Sequence, residues 1–323
     1  MAGVTDFGTT AGGKAVQKIT LDSGELTVAV LTKGATLQSV RLAGVAHDLT
    51  LGSDNLADYE GKMRSFGALV APVVNRLSEA RAPIGGKPCE FEPNQSARHT
   101  LHGGSAGTHH KVWTLGAVSA TAVTLSINLP NGEGGFPGNR TLGATFTLSG
   151  TTLRLEVTAT TDAPTLFNAA NHSYWNLDGS ETWAGHTLRV AADRYLPTTE
   201  DFTPTGQIAD VTGTDFDLRR PRAITPGVNL FDTNFCLSQT RQPLRDVLWL
   251  QGSSGLTLTI ATTEPGMQVY DARHAIRPGK AAYEGLAIEA QNWPDAPNHA
   301  GFPSIELSPG ETYRQTTEWR FAR

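Results

Sequence analysis

Two stretches far apart in the chain hold residue types that can move protons. In Asn171-His172-Ser173-Tyr174-Trp175-Asn176-Leu177, one imidazole lies between two amides and beside two aromatic rings. Such a histidine can give a proton while the rings stack against a ligand. In Leu286-Ala287-Ile288-Glu289-Ala290-Gln291-Asn292-Trp293-Pro294-Asp295, Glu289 interrupts an otherwise apolar run. A carboxylate in a buried strand is costly unless something pairs with it or uses it. A lone histidine in a β protein is more often a hydrogen-bonded structural residue. It is the pairing of an acid with a base, the minimum for proton-shuttling chemistry, that gives the two stretches weight.

Other residues invite competing readings. His99-Thr100-Leu101-His102, followed by His109-His110, brings imidazoles that could bind zinc. However, positions i and i+3 of a strand face opposite sides, no H-E-x-x-H or cysteine partner is present, and Gly103-Gly104 breaks any aligning helix. The expectation is therefore no metal, with His102 at a strand end where its ring reaches a ligand in a cleft. Asn75-Arg76 closes the apolar run Ala68 to Val74, so Arg76 serves either a structural salt bridge or ligand oxygens. Asp232, between Phe231 and Phe235, suits sugar hydroxyls or else a turn. Gly132-Glu133-Gly134-Gly135-Phe136-Pro137-Gly138 lacks a Lys-Ser/Thr and a following helix, and is not a phosphate loop.

The elements that must position these residues read as strands. Lys18 to Leu21, Leu26 to Leu31 and Thr36 to Leu42 are separated by the turn signals Ser23-Gly24 and Lys33-Gly34. Alternation of period two returns at Val123, Leu125 and Ile127, at Leu153, Leu155 and Val157, and at Leu256, Leu258 and Ile260. A helix is expected over Asn55 to Arg64, capped by Asp54 and closed near Gly67. Short strands punctuated by 34 glycines and 18 prolines, without βαβ alternation, give an all-β sandwich or barrel. With no repeat and no low-complexity linker, residues 1–323 are expected to form one domain, with about residues 1–14 frayed.

Composition narrows the partner. Hydrophobic residues at 39% and charged ones at 18% are globular values, neither disordered nor membrane-spanning. A net charge of -5 with scattered Lys and Arg disfavours nucleic acid, and a small neutral substrate fits better. The first residues carry no signal-peptide pattern, and no stretch reaches the ~20 apolar residues of a membrane span. Cys89 and Cys236, distant and without C-x-x-C, are expected to be free, buried thiols of a cytoplasmic protein.

Taken together the motifs resemble the aldose 1-epimerase (galactose mutarotase) family. The resemblance runs in order through Asn75-Arg76, Thr100-Leu101-His102-Gly103-Gly104, Gly135-Phe136-Pro137-Gly138-Asn139, Asn171 to Leu177 and Pro204-Thr205-Gly206. It continues through Phe216-Asp217-Leu218-Arg219, Phe231 to Phe235, Glu264-Pro265-Gly266-Met267-Gln268 and Glu289 to Asn298. It implies a large antiparallel β-supersandwich with an open cleft on one sheet, working without a cofactor as a monomer or dimer. It also implies roles: His172 as general acid, Glu289 as general base, and His102, Asn75, Arg76, Tyr174, Asp232 and Gln268 holding or polarising an aldose. The chain departs from the family at Ala71-Pro72, where Gly-Arg is usual, and at Ser105-Ala106-Gly107-Thr108-His109-His110, where a Gly-Phe-Asp-like stretch is usual. Both departures bear on sugar preference.

The implied chemistry opens a cyclic hemiacetal, with one group taking the C1 hydroxyl proton while another protonates the ring oxygen. Three rivals remain on sequence. A hexose-6-phosphate epimerase needs a basic pocket for the phosphate, and no Lys/Arg cluster near the motifs supports it. A non-catalytic sugar sensor could share the scaffold but needs no proton donor. A glycoside hydrolase needs two carboxylates, with Asp232 as the second.

Overall fold

The computed structural model describes residues 3–323, and Met1 and Ala2 lie outside the described residues. Its largest sheet has nine antiparallel strands. Their order is Thr114–Val118, Ala122–Leu129, Arg140–Ser149, Thr152–Thr161, Tyr313–Ala322, Thr257–Thr262, Arg245–Gln251, Thr187–Val190 and Arg222–Ala223. Burial alternates strictly along Arg140–Ser149 and Tyr313–Ala322, as period-two sequences demand when one face meets the core and the other meets water.

A second sheet of six strands runs Tyr174–Trp175, Leu286–Gln291, Gly266–Tyr270, Asp232–Cys236, Arg194–Leu196 and Ala209–Asp210. Its inner face sends Trp175, Phe235, Met267, Val269, Leu286 and Ile288 into the same core as Phe146, Leu155, Leu258 and Trp319. Trp175 lies 6.1 Å from Trp319 and 5.7 Å from Phe321, ring centre to ring centre. The fold is thus all-β, with large antiparallel sheets stacked face to face, as expected.

Three local expectations are corrected. The stretch expected to fray forms a strand, Gly3–Thr9, paired antiparallel with Ala15–Asp22 at the edge of a four-stranded sheet. Phe7 packs 6.2 Å from Tyr59, and the Ala11 N–H donates to the Glu60 carboxylate, so tertiary contacts override a Gly/Thr-rich composition. The helix is shorter than expected, Leu56–Glu60. Asn55 rather than Asp54 caps it, its side chain accepting from the Ala57 N–H, and Gly61 ends it. Both cysteines are free but only half-buried rather than fully so. No helix among the described residues is long and apolar enough to cross a membrane.

Candidate active site

The outer face of the six-stranded sheet is the floor of a cleft. Strand register fixes the row: Gln268 pairs across with Glu289 and with Asn234, and Tyr174 pairs with Ala287. Side chains two apart share a face, so Glu289, Gln268, Tyr270, Asp232 and Tyr174 all point outward while the neighbouring Trp175, Met267, Val269 and Ile288 enter the core. Every residue of Leu286–Gln291 is buried because both faces of this strand are covered. The cleft holds about 420 Å³, within the range for small-molecule sites.

His172 enters from the loop preceding Tyr174–Trp175, held by its own N–H to Ala68 O at 2.9 Å and by Gly67 N–H to its carbonyl at 2.9 Å. His172 Nε2 lies 3.5 Å from Glu289 Oε1, and the two residues are 5% and 2% exposed. His172 Nδ1 and Glu289 Oε2 are covered and have no hydrogen-bond partner within the chain. Desolvation drives the pair toward its uncharged form. It pulls the His172 imidazole down to about 4 and pushes the Glu289 carboxyl well above its ordinary value, with the Asp232 charge adding and Arg76 opposing.

His102 stands beside His172, ring centres 5.3 Å apart. Its Nδ1 accepts from the Asn75 N–H at 3.2 Å, which places the proton of the neutral ring on Nε2, facing the cleft as a donor. Desolvation, with His172, His109 and Arg76 nearby, keeps the ring neutral by holding its pKa well below the ordinary value. His102 and Asn75 both have positive φ, 54° and 63°, and flank the short pairing of Arg76–Leu77 with Thr100–Leu101. Arg76 donates to Gln95 Oε1 at 2.9 Å and approaches Asp232 at 3.8 Å. The Arg76 guanidinium is thus partnered within the chain and also lines the cleft. Gln268 Nε2 donates to Asp232 Oδ1 at 2.7 Å, while Gln268 Oε1 is covered without a partner. Asp232 opens a strand rather than a turn.

All eight sequence-selected residues, His172, Glu289, His102, Asn75, Arg76, Tyr174, Asp232 and Gln268, line this one cleft. The rest of the 171–177 septet does not. Asn171 donates to Gly67 O, Asn176 donates to Ser180 O and Glu284 O, and Trp175 enters the core. His99 also turns away: its Nδ1 accepts from the Glu79 N–H. Among the described residues no group of three or more His, Cys, Asp or Glu could hold a metal ion.

Residues that sequence reading missed complete the walls. Phe66 stacks on Tyr174 at 4.1 Å, and Phe202 lies under the Arg76 guanidinium at 5.4 Å. Tyr270 could have been found from Gln268, two residues earlier on the same strand face. Lys62, Arg64 and Arg273 join Arg76 around the cleft, so the basic cluster that is absent along the sequence exists in space. It was hidden because its members lie on segments remote in sequence that long-range packing brings together.

The aldose 1-epimerase family model matches residues 17–320. Galactose mutarotase of Rattus norvegicus is 37% identical over 333 residues, covering 97% of this chain and 96% of its own. Aldose 1-epimerase of Escherichia coli K12 is 31% identical over 337 residues, with 96% of each chain covered. Among solved structures, an aldose epimerase homologue from C. elegans superposes with a TM-score of 0.88 at 30% identity, covering 96% of this chain and 99% of that one. Galactose 1-epimerase from Lactobacillus acidophilus NCFM gives 0.87 at 26% identity, covering 100% and 98%.

Proposed function

Because the chain belongs to the aldose 1-epimerase family, we propose that it interconverts the α and β anomers of free aldoses by acid/base opening and reclosure of the sugar ring. The observation that carries this reading is the buried His172–Glu289 pair on the cleft floor, 3.5 Å apart, each with a polar atom unpartnered within the chain. A site built only to bind sugar has no use for a desolvated acid and base in contact.

The pair holds one proton. Desolvation in the free cleft favours neutral imidazole and carboxylic acid. A bound sugar donates hydroxyls to the carboxylate and accepts at its ring oxygen, which favours the carboxylate and imidazolium instead. Glu289 then takes the C1 hydroxyl proton while His172 protonates the ring oxygen, and the C1–O5 bond breaks. Rotation about C1–C2 and reclosure on the other face return each proton to its donor, so electrons and protons balance without a cofactor. His102 and Arg76 offer donors to developing negative charge, and Asp232, oriented by Gln268, accepts from hydroxyls away from C1. Acid and base assistance of roughly 10²–10⁴ per group is ample for a reaction that also runs in water. Polarimetry of freshly dissolved α-anomers is the test. Binding of an aldose without faster equilibration over the uncatalysed rate would make the protein a sensor.

A further inference from the structure

The four basic residues around the cleft are not equivalent. Arg76 approaches Asp232, and Arg273 is paired with the buried Asp271 carboxylate. Among the described residues, Lys62 and Arg64 make no ion pair or hydrogen bond, yet both line the cleft of a chain whose net charge is -5. Behind them Lys33 is 5% exposed, and its Nζ donates only to His109 O, at 3.3 Å. His109 is 4% exposed, its ring lies 6.0 Å from His102 and 3.8 Å from His110, and its Nδ1 has no partner. Lys33 and Arg64 both act electrostatically on the His109 and His110 rings, and Lys62, two residues before Arg64, lines the same cleft. Two cations without an ion pair, beside imidazole donors, suit an anion even with the Glu60 carboxylate acting on Lys33 and Glu92 on His110.

The chemistry of the floor says which part of a sugar meets that wall. The ring oxygen is bonded to C1 and C5. With the C1 hydroxyl at Glu289 and the ring oxygen at His172, C2 and C3 extend toward Asp232. The imidazoles of His102 and His109 continue from His172 at 5.3 Å and then 6.0 Å between ring centres, so this pose directs C5 and its substituent C6 toward them. We propose that Lys62, Arg64, His109 and His110 form a subsite for an anionic group, carboxylate or phosphate, carried on C6 of the aldose. This rests on the epimerase reading above and specifies its substrate class. The replacement of a Gly-Phe-Asp-like stretch by Gly107-Thr108-His109-His110 is what supplies the two imidazoles. Gly107 makes room for the His109 ring, since a Cβ there would stand 2.5 Å from it.

The test measures anomer exchange by NMR for galactose, glucose, their uronates and their 6-phosphates, with wild type and the Lys62→Ala/Arg64→Ala double variant. Both side chains are exposed, so their truncation leaves the core intact. At low salt, kcat/KM for a uronate or a 6-phosphate is expected to exceed that of its neutral parent. That ratio should fall about tenfold or more in the double variant, the loss of a charge-assisted hydrogen bond, and should fall in wild type as salt rises. The uronate and phosphate arms decide which anion the wall serves. Turnover of neutral sugars with no anionic preference, or a preference unchanged in the double variant, overturns the subsite and leaves the epimerase reading standing. Turnover of no aldose at all overturns both.

Discussion

At the scale of single residues, the division of labour in the cleft is open to direct measurement. Glu289→Gln keeps the shape of the side chain and removes the base, so kcat for mutarotation should fall by at least ~10²-fold. A variant within a factor of a few of wild type would remove Glu289 from the mechanism. The proton count makes a second prediction. The working pair carries one proton, and a second is added only as pH falls through the depressed His172 value of about 4. After subtraction of the uncatalysed rate, kcat/KM, which reports the free cleft, should stay level through the ordinary histidine range near about 6.5 and decline only toward 4. An acid limb centred near 6.5 would contradict the desolvation of His172. Asp232→Ala removes an acceptor distant from C1, so KM should rise with kcat comparatively spared. The loss of roughly 1.5–3 kcal/mol is about 10-fold to 10²-fold in kcat/KM, and it should shrink for a deoxy sugar lacking the contacted hydroxyl. Equal losses for every sugar, expressed in kcat, would make Asp232 catalytic instead.

At the scale of elements, His102 depends on a backbone that only certain residues tolerate. Gly103 has φ 77°, and a Cβ there would stand 2.8 Å from Pro72 Cδ. Gly103→Ala should cost about 1–2 kcal/mol for the left-handed backbone alone, plus the displacement needed to relieve that contact. Because His102 is the preceding residue, both the thermal midpoint and kcat should fall, and wild-type values for both would show that the loop adapts freely. What the sequence disclosed follows the same logic of local constraint. Long alternating strands such as Thr152–Thr161 were legible because their period is written in consecutive residues. Glu289 was legible because a charge in an apolar run is locally anomalous. The two-residue strands Tyr174–Trp175 and Arg76–Leu77 were not, since only long-range pairing makes them strands. Lys62 and Arg64 were hidden inside an expected helix that stops at Glu60, and the loop that follows carries them to the cleft.

At the scale of the whole molecule, the cleft floor is one face of a sheet whose other face is the shared core. Its strand partners are remote in sequence, as Tyr174–Trp175 against Leu286–Gln291 illustrates, so strand order could not be read from local pattern. The seam between the sheets runs through Trp175, fully buried between Trp319 and Phe321 and adjacent in sequence to Tyr174. Phe146 is equally buried in the same core, on a strand of the nine-stranded sheet that supplies no cleft residue. Truncating either to alanine should cost about 3–5 kcal/mol, read as a lower urea midpoint. The two should differ in activity per folded molecule. Trp175→Ala loosens the strand that carries Tyr174 and the loop that carries His172, so a misplacement of about 1 Å at the proton donor should cost on the order of 10²-fold in kcat. Phe146→Ala should leave kcat near wild type at temperatures where it is folded. Measuring both under conditions of equal folded fraction separates positioning from stability. If the two variants lose stability alike and both keep full kcat, the seam does not position the site, and the cleft residues are held by their own loops alone.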